Sequence, residues 1–270
     1  MRIFFDSRHR TPSSASSSDF SFELLESVEI ARESEVRLHD VSIPYSWRTV
    51  EQNLNDHIYL SQEPSNGPIT YHRLTLSEGQ YDGRSLATAI GTLLNTVAPA
   101  QWGNNPYVAN YNDQTGQLRI TLTNGAVGSF FLWPDLALRT NPNWSGFDLQ
   151  RPQSFNKNLR LTILRRYSTI LPFESQFLDL LTIHDVFVHC NLSRGSIGPT
   201  PGGRSCLAKV AVTSGYGYVI HQEGSSWEYA QCTQQAVKTI SFQLRDAEGN
   251  LIPLHGCDWS GCLTFNVPPS

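Results

Sequence analysis

The side chains best suited to chemistry in this sequence form three small histidine-containing groups. His255, Cys257 and Cys262 lie close together near the C-terminal end. Zinc takes imidazole nitrogen and thiolate sulfur in tetrahedral sets, so three such donors on a hairpin could hold it, but no fourth ligand is evident. His184-Asp185 and His189-Cys190 flank the apolar run Val186-Phe187-Val188. Side chains alternate between faces on a strand, so His189 and Cys190 point apart and share no ion without a bulge. His39-Asp40 supplies the acid–base half of a triad, yet no glycine-rich elbow offers a nucleophile. Metalloprotease, hydrolase, P-loop and dinucleotide fingerprints are missing from the sequence. Residues 195–203, GSIGPTPGG, lack the Lys-Ser/Thr of a phosphate cradle and stand between strand-forming runs, not ahead of a helix. No catalytic, cofactor-binding or metal residue is therefore assigned, and a non-enzymatic role without cofactor is expected.

Binding chemistry is similarly sparse. Arg160, Arg165 and Arg166 form the densest basic patch, beside Tyr167, but a nucleic-acid stacking platform needs several aromatics interleaved on one face. The net charge of −4 gives no general attraction to nucleic acid or anionic membrane. Trp102, Trp144 and Trp227 fall in loop-like stretches, where exposed indoles would suit stacking on sugars. There is no Arg-Gly-Asp triplet for receptor binding. The 5 cysteines show no CxxC spacing, so buried free thiols are expected instead of a disulfide framework. MRIFFDSRHR has neither an apolar signal region nor a cleavage site, which predicts synthesis in the cytosol and unmodified sequons at Asn143 and Asn191. No apolar run is long enough to span a membrane.

The elements that would position these residues are mainly strands. Residues 1–19 have a Pro/Ser/Ala-rich tract, Thr11 to Ser18, and the β-prone cluster Ile3-Phe4-Phe5; they predict an N-terminal arm on a neighbouring surface. From Phe20 the apolar period is two: Phe20, Phe22 and Leu24, then Val28 and Ile30, then Val36 and Leu38. The phase shifts to Val41 and Ile43 after Asp40, which predicts a bulge. Leu86, Ala89, Ile90, Leu93, Leu94 and Val97 follow the helical period, with Asp82 as N-cap and Pro99 as stop. Tyr107 to Tyr111 and Leu118 to Leu122 flank a hairpin turn. A strand–helix–hairpin unit is thus expected at 66–135, with a core of Leu76, Leu86, Ile90, Leu93, Leu118 and Ile120. Further strands are predicted at 159–164, 178–188, 206–212, 216–221, 236–244 and 262–267. The fold class expected is all-β: one jelly-roll sandwich built from 20–65 and 136–270, with the small α/β unit inserted.

Two segments carry a resemblance. LTLSEGQYDGRSLATAI at 74–90, with Leu76, Gly79, Tyr81, Leu86 and Ile90, is similar to a turn-and-helix pattern of virion proteins. FQLRDAEGNLIPLHGCDWSGCLTFNV at 242–267 resembles the last strands of penton-type capsid proteins of adintoviruses, Maverick/Polinton elements, adomaviruses and virophages. Asp246, Gly249, Asn250 and Leu254 would form the turn, and Trp259, Leu263 and Phe265 the final strand. The resemblance implies a single jelly roll assembling as a homopentamer at capsid five-fold vertices, located in the virion. Its partners would be further copies of itself and the major capsid protein, with a fibre or host receptor as an additional one. A minor capsid or cement protein, or a carbohydrate- or receptor-binding fibre head, are the alternatives.

Overall fold

The computed structural model describes every residue except 32–33, 124, 145–153, 195–204, 225–228, 233, 235 and 267–270. Three strands come first: β1 (Arg2–Asp6), β2 (Asp19–Glu29) and β3 (Glu35–Pro44). There follow β4 (His57–Pro64), β5 (Thr70–Thr75), α1 (Gly83–Asn95), β6 (Tyr107–Asn112), β7 (Gln117–Leu122), β8 (Gly128–Leu132), α2 (Asp135–Leu138) and β9 (Phe173–Glu174). The chain then forms β10 (Asp185–Cys190), β11 (Ser193–Arg194), β12 (Cys206–Ala211), β13 (Val219–Glu223), β14 (Ala230–Cys232), β15 (Ala236–Arg245) and β16 (Ser260–Asn266). Two compact units result, one from Met1–Trp47 with Ile183–Ser270, the other from Arg48–Thr182. Among the described residues no helix is long and apolar enough to cross a membrane.

The first unit is a sandwich whose pairing is nested. β1 pairs with β16, β2 with β15, β3 with β13, and β10 with β12, all antiparallel. One sheet runs β1-β16-β3 and continues along the two halves of β3 as β13 and as β14-β11; the other runs β12-β10-β15-β2. First strand with last, second with next to last, is a jelly roll. Its core is aromatic at one end. Phe5 stacks on Phe242 with centroids 4.2 Å apart, and Phe20 and the Phe5 ring meet the edge of Trp259 at 5.6 and 5.1 Å. Gly261 makes room for this packing, since a Cβ there would sit 2.8 Å from the Phe5 ring.

The period-two pattern explains most of this sheet. The phase shift in β3 is a bulge at His39: Cys262 faces Asp40 while Leu263 faces Leu38. Val36, Leu38, Val41 and Ile43 thereby all reach the core. The arm expected at 1–19 does not hold. Arg2 to Asp6 is a strand of the sandwich, with Ile3 and Phe5 buried. The Pro/Ser tract does not tether an arm; it folds over the edge of β2, where Thr11 N–H donates to Ser21 O at 2.7 Å and Ser21 N–H donates to Ser14 Oγ at 3.0 Å.

The inserted unit has two three-stranded sheets, β5-β4-β8 and β6-β7-β9. α1 begins at a capping box in which Asp82 accepts from Ser85 N–H and the Ser85 hydroxyl receives the Asp82 N–H. Leu86, Ile90 and Leu94 are fully buried, with Leu76, Leu118 and Ile120, and Leu93 packs at the margin. Gly83 lies so close under Tyr111 that a Cβ would come within 2.3 Å of the ring. The unit is wider than 66–135 because β4 is the central strand between β5 and β8, and because Phe155, Leu159, Tyr167, Phe173 and Leu178 complete its core. Residues 159–164 form no strand: Arg160 has a positive φ of 55°, which turns the chain. Only Asp185–Cys190 of the 178–188 stretch and its continuation is extended in a ladder.

Candidate assembly interface

Which parts of the sandwich are open to a partner follows from its hydrogen-bond parity. Residues of an antiparallel strand alternately direct their N–H and C=O to one neighbour and to the other side. At β1, Met1 exchanges bonds with Phe265, and Ser7 N–H donates to Trp259 O at 2.9 Å. The odd residues therefore face β16, and Arg2, Phe4 and Asp6 turn their backbone groups outward. At β13, Tyr45 N–H donates to Tyr218 O, and Gly224 N–H donates to His39 O. The even residues face β3, so Val219, His221 and Glu223 turn outward. The Ser214 hydroxyl donates to Val219 O at 3.0 Å, leaving the His221 groups as the centre of that edge.

The other sheet's edges are covered in part, at the start of β2 and along β12, while the far end of β2 carries the exposed Leu25. On β2 the outward groups of Asp19 and Ser21 bond to Ser16, Thr11 and Ser14. On β12 the Gln222 amide donates to Lys209 O at 3.1 Å and accepts from Ala211 N–H at 3.2 Å. Apolar side chains stand out beside the open edges: Phe4 is 73% exposed and Tyr218 72%, with Met1, Tyr216 and Val219 also exposed. The inserted unit also exposes single apolar side chains, Ile163 at 70%, Ile170 at 92%, Leu171 and Phe177. Contiguous apolar surface beside an open strand edge, as at β1 and β13, is what contact surfaces present.

No protein-family model matches this chain, and no curated protein matches its sequence. A solved structure does. The chain shares its fold with the penton protein of mavirus. The two superpose with a TM-score of 0.50 over 98% of this chain and 99% of that one, at 13% sequence identity. The likeness shows the fold, a jelly-roll β architecture spanning nearly the whole of both chains.

The groups singled out in the sequence occupy different places. Cys190 is in the sandwich core opposite Phe242, and burial pushes its thiol up to about 12. His189 lies on the other face opposite Gln243, with Nδ1 3.3 Å from Ser205 Oγ and Nε2 buried without a partner among the described residues. Burial, and then the Arg245 cation, hold its imidazole below the usual range. Cys262 is buried in β16, whereas His255 and Cys257 are exposed on the preceding turn, and the three do not gather within ligand distance. His39 is the bulge residue of β3.

Two arginines of the basic patch are tied down, Arg160 by Asp179 at 2.6 Å and Arg166 by Glu63 at 2.9 Å, Arg165 is exposed, and Tyr167 is buried. Trp102 and Trp144 are buried too, contrary to the expectation of exposed indoles. Trp102 donates to Val127 O at 3.0 Å, and Trp144 packs edge-on against Tyr59 at 5.2 Å. Trp227 and the 195–203 loop lie outside the described residues. What the sequence did not reveal is the pair of open edges. Alternation identifies which side chains face the core, but not which strand ends a sheet.

Proposed function

We propose that this chain is a non-enzymatic virion protein, a penton-type capsid subunit that forms a homopentamer at icosahedral five-fold vertices and contacts the major capsid protein there. The observation that carries the reading is the nested jelly roll with a long insertion between β3 and β10, matched end to end by the mavirus penton protein. The uneven treatment of edges supports it, because soluble monomers usually block every exposed edge. The burial of Trp102 and Trp144 removes two of the three indoles on which a sugar-binding fibre-head reading rested. Measuring the mass of the purified protein in solution tests the proposal. A species of five copies is the expected result; a stable trimer or a strict monomer at high concentration would refute it. Labelling the chain in virions and locating the label by electron microscopy tests the vertex position.

A further inference from the structure

The two open edges of the sandwich belong to one sheet and lie on opposite sides of it, in the order β1-β16-β3-β13. We propose that β1 of one copy adds to β13 of the next, antiparallel and with Phe4 opposite His221, so that this sheet continues from subunit to subunit. The inference rests on the reading of the chain as a self-assembling capsid subunit and names the contact that joins its copies.

Four independent features agree on this pairing. Strand direction is the first. Every neighbour in the series β1, β16, β3, β13 is antiparallel, so β13 runs opposite to β1 and the next β1 continues the alternation. Parity is the second. The residues with outward backbone groups are Arg2, Phe4 and Asp6 on one strand and Val219, His221 and Glu223 on the other. Placed face to face, Phe4 with His221 and Arg2 with Glu223 form the closely bonded pairs of an antiparallel ladder, which ends at Val219, whose carbonyl already accepts from the Ser214 hydroxyl. The third is facing: Ile3, Phe5 and Ile220 all point into the core, so the outward residues of both strands share the outer face of the sheet. Joining the strands in phase keeps one face apolar and the other wet.

Charge fixes the register. With Phe4 opposite His221, Arg2 meets Glu223 and Asp6 meets Val219. A slip by two residues in either direction separates Arg2 from Glu223. All four of Arg2, Phe4, His221 and Glu223 are exposed in the single chain. Among the described residues Arg2 and Glu223 form no ion pair, and His221 keeps its Nδ1 contact with Ser42 Oγ at 3.1 Å on the outer face, which leaves its backbone groups available to a partner strand. The contact is head to tail, the heterologous kind that closes into rings.

The test uses the full-length chain. Closely bonded antiparallel partners have Cα atoms about 5.5 Å apart, a separation that a disulfide spans. Phe4→Cys combined with His221→Cys should, under oxidised glutathione, give a covalent ladder of chains, and neither substitution alone should do so. Arg2→Glu and Glu223→Arg should each weaken self-association by roughly two- to five-fold per contact, and the two together should restore it. Circular dichroism checks that these surface variants stay folded. An assembled wild type that gives no ladder and ignores the charge changes overturns the edge contact while leaving the capsid reading intact. A wild type that stays monomeric and gives no ladder overturns both. A ladder from a ring of some other size upholds the contact and refutes the five-fold assignment.

Discussion

Phe4 and Phe5 are adjacent, chemically identical and structurally opposite, and substituting each by alanine separates folding from assembly. Phe5 is 4% exposed, stacks on Phe242 and meets the edge of Trp259, so it joins the two sheets of the sandwich. Truncating a core phenylalanine costs about 3–5 kcal/mol, and this one also forfeits two aromatic contacts. At a urea slope of about 2–3 kcal/mol/M, Phe5→Ala should lower the unfolding midpoint of the sandwich by about 1–2.5 M. Phe4 points to solvent in the single chain, so Phe4→Ala should shift stability by no more than about 0.5 kcal/mol. Urea unfolding combined with amide exchange at Gly261 and Leu263, which are paired to Phe5 and Ile3 of β1, reads the effect where it arises. If Phe5→Ala proves as mild as Phe4→Ala, and β16 amides keep their protection, residues 2–6 are not part of the fold and the first expectation of a detachable arm returns.

Three further outcomes can be measured on the same protein. Ile90→Asp places a carboxylate in the fully buried face of α1 and should destabilise the inserted unit by several kcal/mol, seen as selective loss of amide protection in α1, β6 and β7. Gly83→Ala should cost about 1–3 kcal/mol, because the new methyl collides with the Tyr111 ring; a neutral result in thermal unfolding would contradict that close approach. His189 has a folded pKa below the usual value, so between the two the unfolded chain binds the extra proton and stability rises with pH. Its contribution is complete above about pH 6.5 and is lost as pH falls below that. His189→Gln should flatten this acid limb in unfolding measurements between pH 5 and 7, and an unchanged limb would rule His189 out as a source.

Much of the fold was legible because alternation and helical spacing report on burial directly. The Leu38-to-Val41 phase shift located the His39 bulge, and Asp82, Leu86 and Ile90 located α1 and its inward face. Misreadings arose where burial depends on distant partners. Ile3 to Phe5 has no neighbour in sequence to pair with, because its partner β16 lies at the other end of the chain. The serines of 11–18 look like a linker by composition, yet short hydroxyl side chains suit the covering of a strand edge. Trp102 and Trp144 stand in irregular segments, and nothing local signals that Val127 and Tyr59 will enclose them. The open edges were beyond reach for a related reason, since edge position is a property of sheet order.

The nested pairing also imposes an order of events during synthesis. Met1 bonds to a residue 264 positions away, and β2 waits for β15. A ribosome delivering this chain from its first residue makes the opening strands of the sandwich long before the strands that close it. Every strand of the inserted unit, by contrast, pairs within Arg48–Thr182. That unit can form while the tail is still being translated, as local contacts form faster than distant ones. Until β16 emerges, β1 presents both of its edges and both of its phenylalanines to the surroundings, and the nascent chain is most prone to misassociation during that interval.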